Sequence, residues 1–185
     1  MVKGIEYKFE LAKGFGTIGD NGYSSLAYII QSALKAESAF GMGKLYLAFA
    51  RGSGDDLGTS KKEEFYSSYM HLDEEIWGEY YLEHRNNPQY SEINQNDSTL
   101  TDLTIFKLGV EISPKFKINT GANYFIYTSP AKGISLGDEI DLYVKYDYST
   151  STSLRFVYAI FMPDKGVKEK GNSASKLMAE AVVRF

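Results

Sequence analysis

The segment Gly137–Met162 constrains the fold of this chain more than any other, because apolar and polar residues alternate along both of its arms. In the first arm the apolar positions are Ile140, Leu142, Val144, Tyr146 and Tyr148. In the second arm they are Leu154, Phe156, Tyr158, Ile160 and Met162, after a short Ser/Thr stretch. Successive side chains of a strand point to opposite faces, so the pattern predicts a β-hairpin with one apolar face.

The same period of two recurs along most of the chain. It predicts further strands over residues 4–13, 25–40, 44–51, 102–113, 115–127 and 175–185. A helix is an alternative for the LKAES stretch at 34–38, but the glycines at Gly22 and Gly41 favour a strand. We therefore expect an all-β chain, a single domain over residues 1–185, with about eight strands in up-and-down antiparallel order.

The connections between these strands alternate in length. Tight turns are expected after the second, fourth and sixth strands, around Gly41, Pro114 and Ser149–Thr152. Longer loops are expected after the odd-numbered strands, beginning with the Gly-rich stretch Gly14–Gly22. The longest, at about residues 52–99, is polar and irregular, and its aromatic-rich middle is expected to fold over another part of the protein.

Composition excludes several classes of protein. The net charge of -4 argues against a nucleic-acid partner, which requires a basic surface. The absence of Cys excludes disulfides and thiolate metal sites. The longest apolar runs, such as Phe156–Met162, are too short for a membrane-spanning helix. A soluble β-protein and a membrane β-barrel, whose spanning strands are only half apolar, both remain.

Three features favour the membrane barrel. The loops are long at one end and short at the other, and the chain stops at an aromatic residue on the apolar face, as outer-membrane barrels do. Aromatic residues also stand near strand ends, as in an interfacial girdle, at Phe40, Phe116, Tyr146, Tyr148 and Phe185. Against these features, no secretory signal follows Met1, and a soluble barrel or sandwich would show the same alternation.

Four segments carry a family resemblance. Leu136–Pro163, Arg51–Asp55 (RGSGD), Trp77–Leu82 (WGEYYL) and Leu103–Pro114 resemble, in order and spacing, the bacterial alginate-export family of outer-membrane barrels. The Gly-x-Glu-Ile-Asp motif that begins at Gly137 is the most specific of them. The resemblance implies a transmembrane β-barrel conduit in the bacterial outer membrane. It also implies that this chain is the C-terminal part of a larger barrel, so that further strands would precede Met1.

Charged residues opposite the apolar positions are the candidate lining of such a pore. They are Lys8, Lys35, Lys107, Glu111, Lys117, Glu139, Asp141, Lys145, Arg155, Glu180 and Arg184. The remaining charges opposite the apolar positions are Lys44, Lys115, Glu6, Glu10, Glu37 and Asp147. With them the set holds nine cations and eight acids, a near balance that favours a general conduit for hydrophilic solutes. The pair Glu139 and Asp141 has no nearby His, so we expect pore lining or neutralisation by Lys145 or Arg155 rather than catalysis.

Other candidate sites are weaker. Acidic loop residues suit divalent cations or ions that bridge lipopolysaccharide, or are simply solvated: Asp55, Asp56, Asp73, Glu74 and Glu75. His71 and His84 lack zinc spacing, and Gly14–Gly22 lacks the lysine of a phosphate loop, so we expect neither a metal nor a cofactor.

The sequence thus predicts a porin-like, non-enzymatic channel whose partners are the lipid bilayer, lipopolysaccharide and a hydrophilic solute or exported polysaccharide. A small closed outer-membrane barrel with a structural or binding role is one alternative. A soluble β-barrel that binds an apolar ligand is another.

Overall fold

The computed structural model describes residues 2–55, 61–65, 78–81, 100–114, 116–167 and 172–184. Its elements are strands, in the order β1 (Val2–Ile18), β2 (Asn21–Ser38), β3 (Gly41–Gly52), β4 (Leu103–Pro114), β5 (Ile118–Ser129), β6 (Ile134–Asp147), β7 (Thr152–Pro163) and β8 (Ala174–Val183). They form one sheet in which each strand pairs antiparallel with its neighbours in chain order. The predicted all-β, up-and-down arrangement of eight strands is confirmed, and the LKAES stretch belongs to β2.

The Gly-rich stretch Gly14–Gly22 is not the loop that the sequence suggested. β1 continues to Ile18 and β2 begins at Asn21, so the connection is a two-residue turn. A Cβ at Gly14 would lie 2.5 Å from the Ser25 hydroxyl and 2.6 Å from the Tyr23 ring. Glycine therefore makes room here for side chains of the neighbouring strand.

The other connections follow the expected alternation except after β5, where the connection at residues 130–133 is no longer than the turn after β6. The connections after β2, β4 and β6 are short, at residues 39–40, 115–117 and 148–151. The longest follow β3 and β7, at residues 53–102 and 164–173. We call the end of the sheet with the connections after β2, β4 and β6 the turn end. The end with the long connections after β3 and β7 is the loop end.

One side of the sheet, here the apolar face, is covered with exposed hydrophobic side chains. The strand register aligns one row of them across all eight strands: Ile5, Leu34, Leu45, Val110, Ala122, Leu142, Tyr158 and Leu177. Every member except Ala122 is at least 38% exposed. An apolar row of this width that faces outward is the reverse of the burial found in soluble sheets.

The opposite side, here the charged face, carries a buried cluster near the loop end. Side chains of β2–β7 pack there against residues of the connecting segments: Ala27, Ile29, Ala50, Phe65, Tyr81, Leu100, Leu103, Ile105, Phe125, Tyr127, Leu136, Phe161 and Val167. Described residues of the long connection after β3 thus pack on the charged face, as expected for its aromatic residues. The members of this connection in the buried cluster are Phe65, Tyr81 and Leu100.

The two edges of the sheet are β1 and β8. Within the described residues each of them pairs with one strand, β2 and β7 respectively. Both faces of β1 are exposed, as Tyr7 on the apolar face and Lys8 on the charged face show. In the described part of the chain no helix is long and apolar enough to cross a membrane.

Candidate functional site

The candidate site is the charged face, where the register gathers nine of the eleven predicted pore-lining residues. They are Lys8, Lys35, Lys107, Glu111, Glu139, Asp141, Lys145, Arg155 and Glu180. Lys8, Lys107 and Glu139 share one row, and the adjacent row runs from Glu6 on β1 to Asp141 on β6 and Lys176 on β8.

The remaining two predicted residues lie outside the strands. Lys117 stands in the turn before β5 with φ of 62°, and its Nζ donates to the Tyr148 carbonyl at 3.3 Å. Arg184 follows β8, and its backbone N–H donates to the Ser151 carbonyl at 2.8 Å. Both therefore lie at the turn end rather than along the charged face.

Glu139 is completely buried and acts as a hydrogen-bond acceptor for a distant part of the chain. Its Oε1 accepts the backbone N–H of Tyr80 at 2.6 Å, and its Oε2 accepts that of Tyr81 at 2.9 Å. The Tyr127 hydroxyl donates to Oε2 at 3.2 Å. A charge with this many donors tolerates burial, because each donor replaces part of the lost hydration.

Asp141 extends the same arrangement by one residue. It is 1% exposed, and its Oδ2 accepts the backbone N–H of Glu79 at 3.1 Å. Its Oδ1 is buried and has no hydrogen-bond partner. Three successive backbone N–H groups, from Glu79 to Tyr81, therefore point at two neighbouring carboxylates of β6.

The expected neutralisation of this pair by Lys145 or Arg155 is wrong for the described residues. Arg155 instead makes a close ion pair with Glu79 and a longer one, at 4.0 Å, with Glu180. Lys145 pairs with Asp147 at 3.1 Å. The hydrogen bonds described for Glu139 and Asp141 instead come from backbone N–H groups and from the Tyr127 hydroxyl.

Two further contributors escaped the sequence argument. Glu79 binds Arg155, and the Lys176 Nζ donates to the Glu79 carbonyl at 3.1 Å. Glu79 lies 62 residues before Asp141 in an irregular stretch, so no periodic signal links the two. Lys176 could have been found, because it occupies a polar position of the alternation in β8.

At the β1–β4 side, the charged face contains an open cleft of about 200 Å³. Its lining includes three lysines and one acid, Lys8, Lys44, Lys107 and Glu6. The Lys44 Nζ lies 3.9 Å from the centre of the Tyr46 ring and 3.7 Å from Glu6. This combination of cations, an aromatic ring and a carboxylate suits contact with hydrophilic solutes.

At the loop end, Asp55 of the predicted acidic cluster binds two residues of its own loop. Asp55 Oδ1 accepts the Glu63 backbone N–H at 3.0 Å, and Oδ2 pairs with Lys62 at 3.0 Å. These contacts, the Glu63 N–H first and the Lys62 ammonium second, hold the pKa of Asp55 below its usual range. Asp55 thus fastens its own loop.

The other predicted ion ligands, Asp56, Asp73, Glu74 and Glu75, lie outside the described residues, as do His71 and His84. Among the residues that are described, no group of three or more His, Cys, Asp or Glu side chains could hold a metal ion.

No protein-family model matches the chain, and no curated protein matches it at a significant level. The resemblance to the alginate-export family stays a prediction that rests on the sequence segments themselves.

Proposed function

We propose that this chain forms part of a bacterial outer-membrane β-barrel that conducts hydrophilic solutes. The observation that carries the proposal is the inverted burial of the sheet. Leu142 is 48% exposed on the apolar face, whereas its neighbour Asp141 is 1% exposed on the charged face. Water penalises exposed apolar surface and favours exposed carboxylates, so this arrangement suits a sheet whose outer solvent is lipid.

The dimensions of the apolar face support the same proposal. On β4 it runs from Phe106 to Ile112 with alternate residues exposed. Seven residues of strand span roughly 20 Å, close to the apolar band of about 25 Å in outer-membrane barrels. Exposed aromatic residues at the turn end, Phe40, Phe116 and Tyr148, are placed as an interfacial girdle would be. Phe185 lies outside the described residues.

The charged face supplies the lining of the proposed conduit. Lysines and carboxylates share its rows, and the cleft beside Lys44 is open to solutes. Export of a polysaccharide, as in the alginate-export family, is the more specific form of the proposal and rests on the resemblance. Lys8 and Lys44 would then meet the anionic groups of the sugar chain, whereas Lys107 is only 6% exposed.

Conduction requires a barrel wider than these strands provide alone. About eight strands enclose just enough space for their own side chains. The second edge of β1, which pairs with no strand among the described residues, is where additional strands would pair. We accordingly propose that the chain is the C-terminal part of a larger barrel.

Planar-bilayer recording tests the conduit. The full-length gene product, folded in detergent and added to a lipid bilayer, is expected to give stepwise conductance. The reversal potential in a salt gradient then reports whether anions or cations pass more easily. A product that inserts and never conducts contradicts the proposed function.

A second candidate is a small closed outer-membrane barrel with a structural or binding role. The packed aromatic cluster at the loop end, including Tyr81, Phe125 and Tyr127, favours it because such packing fills the inside of a narrow barrel. Heat-modifiable gel mobility of the 185-residue chain without conductance would support it. The third candidate, a soluble barrel for an apolar ligand, is opposed by the exposure of the apolar face, since such a barrel would turn that face inward around its ligand.

A further inference from the structure

The segment Gly78–Tyr81 lies directly on the charged face, although it belongs to the long connection between β3 and β4. Three consecutive N–H groups bind Glu139 and Asp141, as described above. On its other side, the Glu79 carboxylate pairs with Arg155 of β7, and the Glu79 carbonyl accepts from Lys176 of β8. The segment is therefore fastened to three successive strands.

Gly78 lets this segment approach the sheet more closely than any other residue would. A Cβ at Gly78 would lie 2.5 Å from the carboxyl carbon of Glu139 and nearer still to the Tyr127 hydroxyl. Gly78 itself is buried. No φ strain is involved at this position, so the requirement for glycine is purely one of space.

Aromatic stacking fixes the other end of the segment. The Tyr81 ring lies 4.5 Å from that of Tyr127 and 4.8 Å from that of Phe161, centre to centre. Tyr80 also stacks on Phe161 at 6.0 Å. Polar and aromatic contacts thus hold four residues against β5–β8 without a break.

We propose that Gly78–Tyr81 is a built-in constriction of the conduit, a crossbar that occupies the β5–β8 side of its inner space. This inference rests on the proposed function. The crossbar covers Glu139 and Asp141 and leaves the β1–β4 side, with its cleft, as the route for solutes. It binds two of the predicted pore-lining acids, so these acids position the crossbar instead of contacting the solute.

Thiol labelling tests the crossbar without any need for conduction. The chain has no Cys, so Ala159→Cys introduces a unique thiol at a position that is completely buried beside Asp141. A membrane-impermeant maleimide is expected to label this thiol slowly. Adding Gly78→Ala, which pushes the segment away from Glu139, is expected to speed labelling about tenfold, as local opening does.

The matched control is Gly4→Ala, since Gly4 also lies on the charged face and a Cβ there meets no atom within 4 Å. It should leave the labelling rate unchanged. If the Gly78→Ala protein does not fold, Glu79→Gln replaces it, because this change removes the Arg155 pair and keeps the backbone N–H groups. Labelling that neither variant accelerates would overturn the crossbar.

Conductance then tests the constriction itself. Gly78→Ala is expected to raise single-channel conductance by roughly half, since pore width sets ion flow, whereas Gly4→Ala leaves it unchanged. If Gly78→Ala speeds labelling but leaves conductance unaltered, the proposed constriction is wrong, whereas the proposed conduit is not contradicted. A wild-type protein that never conducts would contradict both the proposed conduit and the proposed constriction. The labelling rates would still show whether Gly78–Tyr81 covers the charged face of β5–β8.

Discussion

Glu6 on β1 and Asp141 on β6 lie in the same row of the charged face, but the surroundings of the two carboxylates differ completely. Glu6 is exposed on β1 and pairs with Lys35 at 2.6 Å. Asp141 is buried on β6 and receives the Glu79 backbone N–H. The register assigns both residues to one face. Their burial is decided by whether a loop segment lies above them.

The two sides are consequently stabilised by different interactions. Ion pairs between exposed and partly exposed side chains of β1–β3 contribute little to stability, because water screens them. A buried carboxylate with backbone donors is different, since its removal leaves those donors unsatisfied at a cost of several kcal/mol. We therefore expect the β5–β7 side to dominate the free energy of unfolding.

The largest contrast is expected between Glu139→Gln and Glu6→Gln. At Glu139 the amide NH₂ group would face a backbone N–H donor, and a charge-assisted bond would be lost, for a cost of about 3 kcal/mol. At Glu6 the change should leave the unfolding midpoint essentially unchanged, because water screens this exposed carboxylate. Urea unfolding of both proteins in detergent micelles measures the difference. Equal losses would show that burial does not separate the two sides.

A smaller difference in stability is expected between two substitutions of Asp102, Asp102→Ala and Asp102→Asn. Asp102 lies near the loop end and has a φ of 47°. Its carboxylate accepts from the Ser129 hydroxyl at 2.6 Å and from the Ala131 N–H at 2.9 Å. Asp102→Ala removes both bonds and places alanine in a left-handed conformation, so it should cost about 2 kcal/mol.

Asp102→Asn is the matched control. Asparagine tolerates the left-handed region and keeps one acceptor, so its cost should stay below about 1 kcal/mol. The midpoints of urea unfolding compare the two variants. An alanine variant as stable as the asparagine variant would mean that the loop end does not depend on this carboxylate.

The smallest effect concerns pH and the Asp55 contact. Because the pKa of Asp55 is lowered in the folded protein, its contribution to stability is present above the unfolded pKa of about 3.9 and is lost as pH falls through the folded pKa. The contribution should be below about 1 kcal/mol, since the pair with Lys62 is partly exposed.

The Glu63 amide reports this titration directly, because it donates to Asp55. Its NMR chemical shift should change with a midpoint below about 3.9, and Asp55→Asn should abolish the change. A midpoint at or above that value would indicate that the 61–65 segment is not held by Asp55.

The sequence predicted the strands, their order and the two faces because these depend on local alternation and short turns. It did not predict the partners of Glu139 and Asp141, since those lie about 60 residues earlier in an irregular stretch. Glycine was also misread at Gly14, where it accommodates cross-strand packing. At Gly78 it serves a similar close approach, for which a sequence offers no separate signal.

The central claim is that lipid covers the apolar face, and fluorescence quenching tests it most directly. The single Trp is replaced by Phe, and Trp is introduced either at Leu142 on the apolar face or at Tyr143 on the charged face. In vesicles that contain lipids brominated on their acyl chains, the Trp at position 142 should be strongly quenched and the Trp at 143 should not. Equal quenching at both positions, or quenching at neither, would contradict the account.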